Sequence, residues 1–369
     1  MILILGSGVT GKSVANYCEK HGLDYTFDET SDYRVVVKSP GIKYNNRIVV
    51  EALKKGIEVI SDIELAYRLH KAYYIGITGT NGKTTVVSLI KHIFEVNNID
   101  CEAVGNIGNP IFDHLDKKIL IVELSSFQLL GIKEFKPNIA LITNISRAHM
   151  DYHDSYEEYI NAKHRIHMNM EKDNVFVNSN MNSDLKSYND KVIEFESNLI
   201  GEHNKENMLA AYTVAKCYGL ESEKIKAAIK TFKGLEHRIE EFIPNVFNDS
   251  KATNPVSMLK AIETLDDELT LICGGQNRYE DFSVLIPVIN KIKQVICYGE
   301  TKNILVDFFS KHSVNVLGVN TLTQAVQIAK LIKEHNQILF SPGCSSFDQF
   351  KSYRERGKKF KKLFVQNMY

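Results

Sequence analysis

The sequence carries no net charge: 45 Lys and Arg residues balance 45 Asp and Glu residues in a chain of 369. That balance excludes a global basic field for nucleic acid or an anionic membrane and leaves only local basic pockets open. No apolar run approaches the roughly 20 residues that cross a bilayer. The opening Met1-Ile2-Leu3-Ile4-Leu5 has no basic flank before it and runs straight into glycines, so it does not read as a signal peptide. The cysteines (Cys18, Cys101, Cys217, Cys273, Cys297, Cys344) are scattered without a C-x-x-C pair. Free, largely buried thiols in a reducing cytoplasm are expected rather than zinc ligands or a disulfide frame. Low-complexity tracts and short internal repeats are also missing. What is present is 44% hydrophobic and 24% charged residues, enough to fill ordinary cores. At more than twice a typical ~150-residue domain, two or three domains are expected.

Short β-rich apolar runs alternate with helix-period stretches throughout, which predicts parallel sheets flanked by helices. Strands are expected at Ile2–Leu5, Tyr25–Phe27 and Val35–Val37, with a helix after the first reaching Cys18. The third strand runs into Lys38-Ser39-Pro40-Gly41, whose Pro-Gly step reads as a turn. A new unit opens with Tyr73–Thr78, followed by a helix burying Val86, Leu89, Ile90, Ile93 and Phe94. Further strands are expected at Ile119–Leu124 and Ile139–Thr143, then a helical stretch through Met170 and a helix over Glu206–Tyr218. The last third repeats the pattern with strands Leu269–Cys273, Val295–Tyr298 and Ile338–Phe340 and a helix over Leu322–Lys333. Three α/β domains are predicted, over residues 1–70, 71–234 and 235–369.

Two glycine loops join strands to helices. Gly6-Ser7-Gly8-Val9-Thr10-Gly11, with Asp28 about twenty residues on, has the spacing of a dinucleotide fingerprint. A backbone nest at a helix start holds a pyrophosphate of either a dinucleotide or another nucleotide, and the alternative is a tight turn with no ligand. Gly79-Thr80-Asn81-Gly82-Lys83-Thr84-Thr85 is the more specific signal. Its amides can cradle phosphates, Lys83 can reach the β- and γ-phosphates, and the Thr84 hydroxyl can ligate Mg²⁺. Ile77 stands where the strict phosphate-loop pattern has its first glycine.

Metal-bound phosphate needs further ligands. Glu123 lies near a strand end, where ligands gather in parallel sheets. His149, in Asn144-Ile145-Ser146-Arg147-Ala148-His149-Met150-Asp151, also follows a strand, but spacing alone makes it as much a structural histidine as a ligand. Lys163, within an expected helix, reads by itself as a solvated lysine.

Taken together, the segments 79–85, Glu-Leu-Ser-Ser-Phe-Gln (123–128), 144–151, His-Arg (237–238), Asn-Asp-Ser-Lys-Ala-Thr-Asn (248–254) and Ser-Pro-Gly-Cys-Ser-Ser-Phe-Asp-Gln-Phe (341–350) resemble the Mur ligase family, in order and over nearly the whole chain. The resemblance implies an N-terminal Rossmann-like domain for a UDP-sugar, a central P-loop ATPase domain with a parallel-rich sheet, and a C-terminal Rossmann-like domain for the incoming amino acid. The implied activity is ATP-driven amide-bond formation that adds D-glutamate to UDP-N-acetylmuramoyl-L-alanine through an acyl phosphate, in peptidoglycan precursor synthesis. The implied protein is a cytoplasmic monomer with no nucleic-acid or membrane partner.

The implied cofactors are ATP and two Mg²⁺ ions. The ions would lie on Thr84, Glu123, His149 and Lys163, the last where the family carries a carbamylated lysine. Lys83, His149 and Lys163 would be catalytic. Gly79 to Thr85, Asn204, Asn207, Arg238, Asp249 and Lys251 would bind ATP. Gly6, Ser7, Gly8, Val9, Thr10, Asp28 and Asn106 would hold the UDP-sugar; Thr253, Arg278, Ser346 and Tyr353 would receive D-glutamate. Arg278 and Tyr353 depart from the Lys and Phe common in the family, and the first domain is short. A folylpolyglutamate synthase typically begins near its ATP loop, whereas here a complete small α/β unit precedes Gly79. An NAD(P)-dependent oxidoreductase would leave the second glycine loop and the C-terminal motifs unexplained.

Overall fold

The computed structural model describes residues 1–150, 152–171, 174–178, 194–197, 199, 201–266, 268–332 and 337–366. Two compact units divide the chain, residues 1–198 with 203–232, and residues 199–202 with 233–369. The first unit holds two sheets and the second unit holds one.

Strands β1 (Ile2–Leu5), β2 (Tyr25–Thr26), β3 (Val35–Lys38) and β4 (Glu58–Ser61) form a parallel sheet in the order β2-β1-β3-β4. Successive side chains alternate between faces. Leu3, Leu5, Val36 and Val59 pack with Ile48, Val49 and Ala52 of the helix Arg47–Lys54. Ile4, Val37 and Ile60 enter a different cluster, with Val14 and Cys18 of the helix Val9–His21.

The second sheet comprises β5 (Tyr73–Thr78), β6 (Glu102–Gly105), β7 (Ile119–Glu123), β8 (Ile139–Ile142) and β9 (Val175–Asn178). Its order is β6-β7-β5-β8-β9 and every pairing is parallel. The chain leaves β5 to build β6 and β7 on one side and then β8 on the other. The loop after β5 therefore lies where the strand order reverses, the crevice in which open parallel sheets bind ligands. The helix after it, Lys83–Val96, buries Val86, Leu89, Ile90, Ile93 and Phe94 as its period predicts.

One apolar cluster runs through both sheets, joining Ile4, Val37 and Ile60 to Tyr74, Leu120, Val122 and Ala140. Glu64, fully buried on the helix Asp62–Leu69, fastens them further. Its carboxylate accepts the backbone N–H groups of Lys133, Glu134 and Phe135 at 2.8 to 3.1 Å and pairs with Arg68 at 2.8 Å.

The third sheet contains β10 (Glu240–Ile243), β11 (Val246–Asn248), β12 (Leu269–Gly274), β13 (Ile292–Tyr298), β14 (Asn315–Gly318) and β15 (Ile338–Phe340). Its order is β10-β11-β15-β12-β13-β14, parallel except for the antiparallel β10–β11 pair. Leu271, Cys273, Val295, Cys297 and Leu339 face one core. Ile272, Ile296, Tyr298, Ile338 and Phe340 face another, with Phe360 and Phe364 of the helix Tyr353–Val365.

Several expected boundaries move. The helix expected to Cys18 continues to His21, and the one expected from Glu206 starts at Glu202. The stretch expected to be helical through Met170 is an α-helix over Tyr156–His164 followed by a single tighter turn, Arg165–His167. The helix from Leu322 ends at Leu331, while Lys333 lies outside the described residues. All six cysteines are free and, except for the half-buried Cys217, buried. Among the described residues no helix is long and apolar enough to cross a membrane.

Candidate active site

The loop after β5 needs its glycines. Gly79 has φ +147° and a Cβ there would lie 1.9 Å from Thr143 Oγ1; Gly82 has φ +80° and its Cβ would lie 2.2 Å from Asn207 Oδ1. The loop is braced by the segment after β8. Thr80 N donates to Asn144 O at 2.8 Å, Asn81 N to Asn144 Oδ1 at 2.9 Å, and Thr143 Oγ1 to Asn81 O at 2.7 Å. Lys83 Nζ folds back to donate to Gly79 O at 2.8 Å and Thr80 O at 2.9 Å. No acidic residue occupies the first turn of its helix, so the helix itself does not oppose an anion at that N-terminus. Ile77 is a fully buried residue of β5, which explains why the departure from the strict glycine pattern is harmless: the position lies in the strand, not in the loop.

Glu123 closes β7 in register with Ile77 of β5. Its Oε1 accepts from Asn106 Nδ2 at 2.8 Å, and Asn106 N donates to the Glu123 carbonyl at 2.9 Å. Its Oε2 is buried with no hydrogen-bond partner. A buried carboxylate oxygen without a donor is costly, and a cation beside it removes the cost. The Glu123 carboxylate and the hydroxyl of half-buried Thr84 are oxygen donors of the kind a hard divalent cation such as Mg²⁺ takes; the exposed His149 would add a nitrogen. His149 adopts a left-handed backbone (φ +58°) and sets its ring edge-on to Phe127, 5.2 Å between centroids.

Lys163 is not the solvated lysine that its helix position suggests. It is 2% exposed and its Nζ donates to Gly79 O at 2.8 Å. Burial, and then the positive charge of Lys83, bring its pKa down to about 7. Its ammonium lies 4.7 Å from the ring centre of Tyr159, whose hydroxyl is 2.8 Å from Thr80 Oγ1. Asn207 and Asn204 stand on the helix Glu202–Tyr218, joined by an Nδ2–Oδ1 bond of 2.9 Å, with Asn207 against Gly82. The structure thus brings Lys83, Lys163 and Asn207 directly to the loop. Tyr159 is a member that sequence reasoning missed; its only signal is its place one helical turn before Lys163.

In the first sheet, Ser7, Gly8 and Val9 are exposed, Gly6 and Thr10 half-buried, and the helix start at Gly8 has no side-chain cap. Asp28 lies on an exposed turn, where its Oδ1 accepts from Thr30 N at 2.9 Å and Thr30 Oγ1 at 2.7 Å. Those bonds hold its carboxyl below the usual range and tie it to its own turn.

In the second unit, the loops after β11 and β15 converge. Asp249 is buried and accepts from Ser341 Oγ at 2.8 Å; burial pushes its pKa up to about 7, against the pull of that bond and of Arg238. Lys251 Nζ lies 4.3 Å from the ring centre of Tyr353, whose carbonyl accepts from Ser250 Oγ at 2.8 Å. Ser346 is buried and its carbonyl accepts from Phe350 N at 2.9 Å. Arg278 is exposed, bonded to Gln276 Oε1 at 3.1 Å and 5.8 Å from the Phe347 ring centre, while Thr253 is half-buried. The residue missed here is Arg356. Fully buried, it donates to Cys344 O at 2.9 Å, Ser250 O at 2.8 Å and Ser250 Oγ at 3.1 Å, tying the two loops together.

A glycine loop between strand and helix, carrying Lys83 and Thr84 beside a buried, half-satisfied carboxylate, defines an α/β enzyme that handles a nucleoside triphosphate. The chain belongs to the Mur ligase family. The family model for the Mur ligase middle domain matches residues 77–185. Over 420 residues the sequence is 33% identical to the UDP-N-acetylmuramoylalanine–D-glutamate ligase of Oenococcus oeni, covering 98% of this chain and 96% of that one. The Staphylococcus saprophyticus ligase of the same name is 34% identical over 387 residues, 94% of this chain and 86% of its own. Among solved structures, the UDP-N-acetylmuramate–alanine ligase of Thermotoga maritima aligns over 98% of both chains with a TM-score of 0.65 at 16% identity. A pseudomurein peptide ligase type C of Methanothermus fervidus aligns over 93% and 96% with a TM-score of 0.56 at 17% identity. These two likenesses concern the fold, an α/β architecture of three parallel-rich sheets.

Proposed function

We propose that this chain joins D-glutamate to UDP-N-acetylmuramoyl-L-alanine with hydrolysis of ATP to ADP and phosphate, as a cytoplasmic, monomeric enzyme of peptidoglycan precursor synthesis. The observation that carries the reading is the near-full-length likeness to D-glutamate ligases at 33% and 34% identity. The four-stranded sheet before the ATP loop supports it over a folylpolyglutamate synthase.

The donor carboxylate attacks the γ-phosphorus, forming a C–O–P bond as ADP departs. The D-glutamate amine then attacks the acyl carbon; phosphate leaves and the amine gives up a proton. Both reactants of the first step are anions, so positioning and charge neutralisation are what the protein must supply. Lys83, which now donates to two loop carbonyls, would exchange them for phosphate oxygens. Thr84, Glu123, His149 and Lys163 would hold two Mg²⁺ ions, which neutralise phosphate charge when bound. Asn106 orients the Glu123 carboxylate and would also meet the donor.

Lys163 would act as a carbamate. Its neutral amine adds CO₂ and releases a proton, replacing a cation that faces Lys83 by an anion; the burial and lowered pKa of Lys163 support this. Residues 1–70 would bind the UDP-sugar through Gly6 to Thr10 and Asp28, and residues 71–234 the ATP. In residues 235–369, Arg238, Asp249 and Lys251 would bind the nucleotide, while Thr253, Arg278, Ser346 and Tyr353 would receive D-glutamate.

ATP-dependent phosphate release with UDP-N-acetylmuramoyl-L-alanine, measured against D-Glu, L-Glu, L-Lys and meso-diaminopimelate, tests the assignment. Turnover is expected with D-glutamate alone, because L-lysine would bring an unmatched ammonium toward Arg278. Robust turnover with L-lysine or diaminopimelate would overturn it.

A further inference from the structure

The turn that begins Lys38-Ser39-Pro40-Gly41 has no part in the chemistry described so far, yet it rests on a buried cation. Lys38 ends β3 and is 2% exposed. Its ammonium donates to Ile42 O at 2.7 Å and, at longer range, to Ser39 O at 3.3 Å and the Tyr152 hydroxyl at 3.4 Å. The Tyr152 hydroxyl donates to the same Ile42 carbonyl at 3.0 Å, and the ammonium lies 4.9 Å from the ring centre of Tyr44. These hydrogen-bond partners are neutral, and the opposite charge that acts on the ammonium is the buried Asp62 carboxyl, the first residue of the helix Asp62–Leu69. Burying an ammonium is costly even with an opposite charge in range, so a residue that served packing alone would be apolar.

The contacts run in two directions. Ser39 N donates to Leu5 O at 2.9 Å, and the Ser39 hydroxyl leaves no room for a Cβ on Gly6, so the turn and the first glycine loop move as one. On the other side, Tyr152 N donates to the His149 carbonyl at 3.1 Å. We propose that Lys38 is a positioning residue that fastens the Ser39–Ile42 turn, and with it the Gly6 loop, to the segment carrying His149. The donor held by the first sheet is thereby kept in line with the ATP loop. The inference rests on the ligase reading above and adds to it a residue that touches neither substrate.

Acyl-phosphate formation depends steeply on the alignment of its two anions, so loosening this strap raises the requirement for donor while leaving the other two substrates alone. Lys38→Met keeps the length and removes the charge. The expected result is a KM for UDP-N-acetylmuramoyl-L-alanine raised about tenfold, with the KM values for ATP and D-glutamate within about twofold of the parent. Lys38→Arg, which can still donate to the Ile42 carbonyl, should recover part of the loss. Tyr152→Phe should raise the donor KM less, and should add little on top of Lys38→Met because both act through one carbonyl. Calorimetric titration of UDP-N-acetylmuramoyl-L-alanine into the Tyr152 variant gives the same answer if Lys38→Met does not fold. An unchanged donor KM, or all three KM values rising together with a lowered Tm, would overturn the proposal. Turnover by the unaltered protein is measured first; its absence would sink the ligase reading itself, before any variant is compared.

Discussion

Lys83 and Lys163 donate to one acceptor, the carbonyl oxygen of Gly79, each at 2.8 Å. Two ammonium groups on one oxygen repel each other, and the buried one bears most of that cost. The arrangement favours an uncharged Lys163 amine beside a charged Lys83.

Lys163→Ala should therefore lower kcat by about 100-fold or more while Tm changes by only a few degrees, since the deleted charge was unfavourable where it lay. Formate or acetate at high concentration should restore part of the rate by supplying a carboxylate in the space left open. Steady-state phosphate release with and without the small acid measures both effects. Full activity in the unrescued variant would reject a role for Lys163.

Glu123→Gln retains the acceptor for Asn106 and removes the charge. The concentration of Mg²⁺ giving half-maximal rate should rise about tenfold or more, with the far-ultraviolet circular dichroism unchanged. An unaltered Mg²⁺ dependence would take Glu123 out of the ligand set.

How much of this was legible in the sequence follows from how local each cause is. The loop 79–85 could be read because a strand, glycines at left-handed positions and a helix start are all set within a few residues. Short apolar runs such as Val35–Val37 were equally readable. Strands β4, β6 and β14 were not singled out, because Glu58-Val-Ile-Ser, Glu102-Ala-Val-Gly and Asn315-Val-Leu-Gly each offer only two apolar residues between polar or small ends. They are strands because a neighbour supplies the ladder. Lys163 was visible only through family resemblance, since what distinguishes it from a solvated lysine is a carbonyl 84 positions away. Arg356 stayed hidden in a helix full of exposed lysines, its partners 106 and 12 positions away.

Arg356→Met should destabilise the chain by about 3 kcal/mol, because it leaves two buried carbonyls and the Ser250 hydroxyl without their donor. Chemical denaturation would measure that loss. Among variants that remain folded, the KM for D-glutamate should rise, as the loop bearing Ser346 is released from the loop bearing Asp249.

Asp62 gives a prediction in pH. Burial pushes its pKa up to about 6, opposed by its bond from Gln128. Between the unfolded value near 3.8 and the folded value, the native state holds the extra proton, so stability falls as pH rises through that window and levels off above it. Asp62→Asn removes this slope. The Tm of the variant minus that of the parent should grow from pH 4 to pH 6 and then stay constant, worth roughly 3 kcal/mol at most for a shift of this size. A difference independent of pH would show that Asp62 is ionised alike in both states.

The apolar cluster that passes without a break from Ile4, Val37 and Ile60 to Tyr74, Leu120 and Ala140, with Glu64 gripping three amides of the loop that leads into β8, bears on how such chains can be recombined. The first two sheets are not separate objects, since one core serves both. A graft made at residues 70 and 71, taking the first sheet from a relative with different side chains, would bring together two surfaces that had never been selected against each other. An exchange of whole segments would have to move both sheets at once to keep that core intact. Point substitution within the first sheet leaves the shared core in place and is the easier change to make.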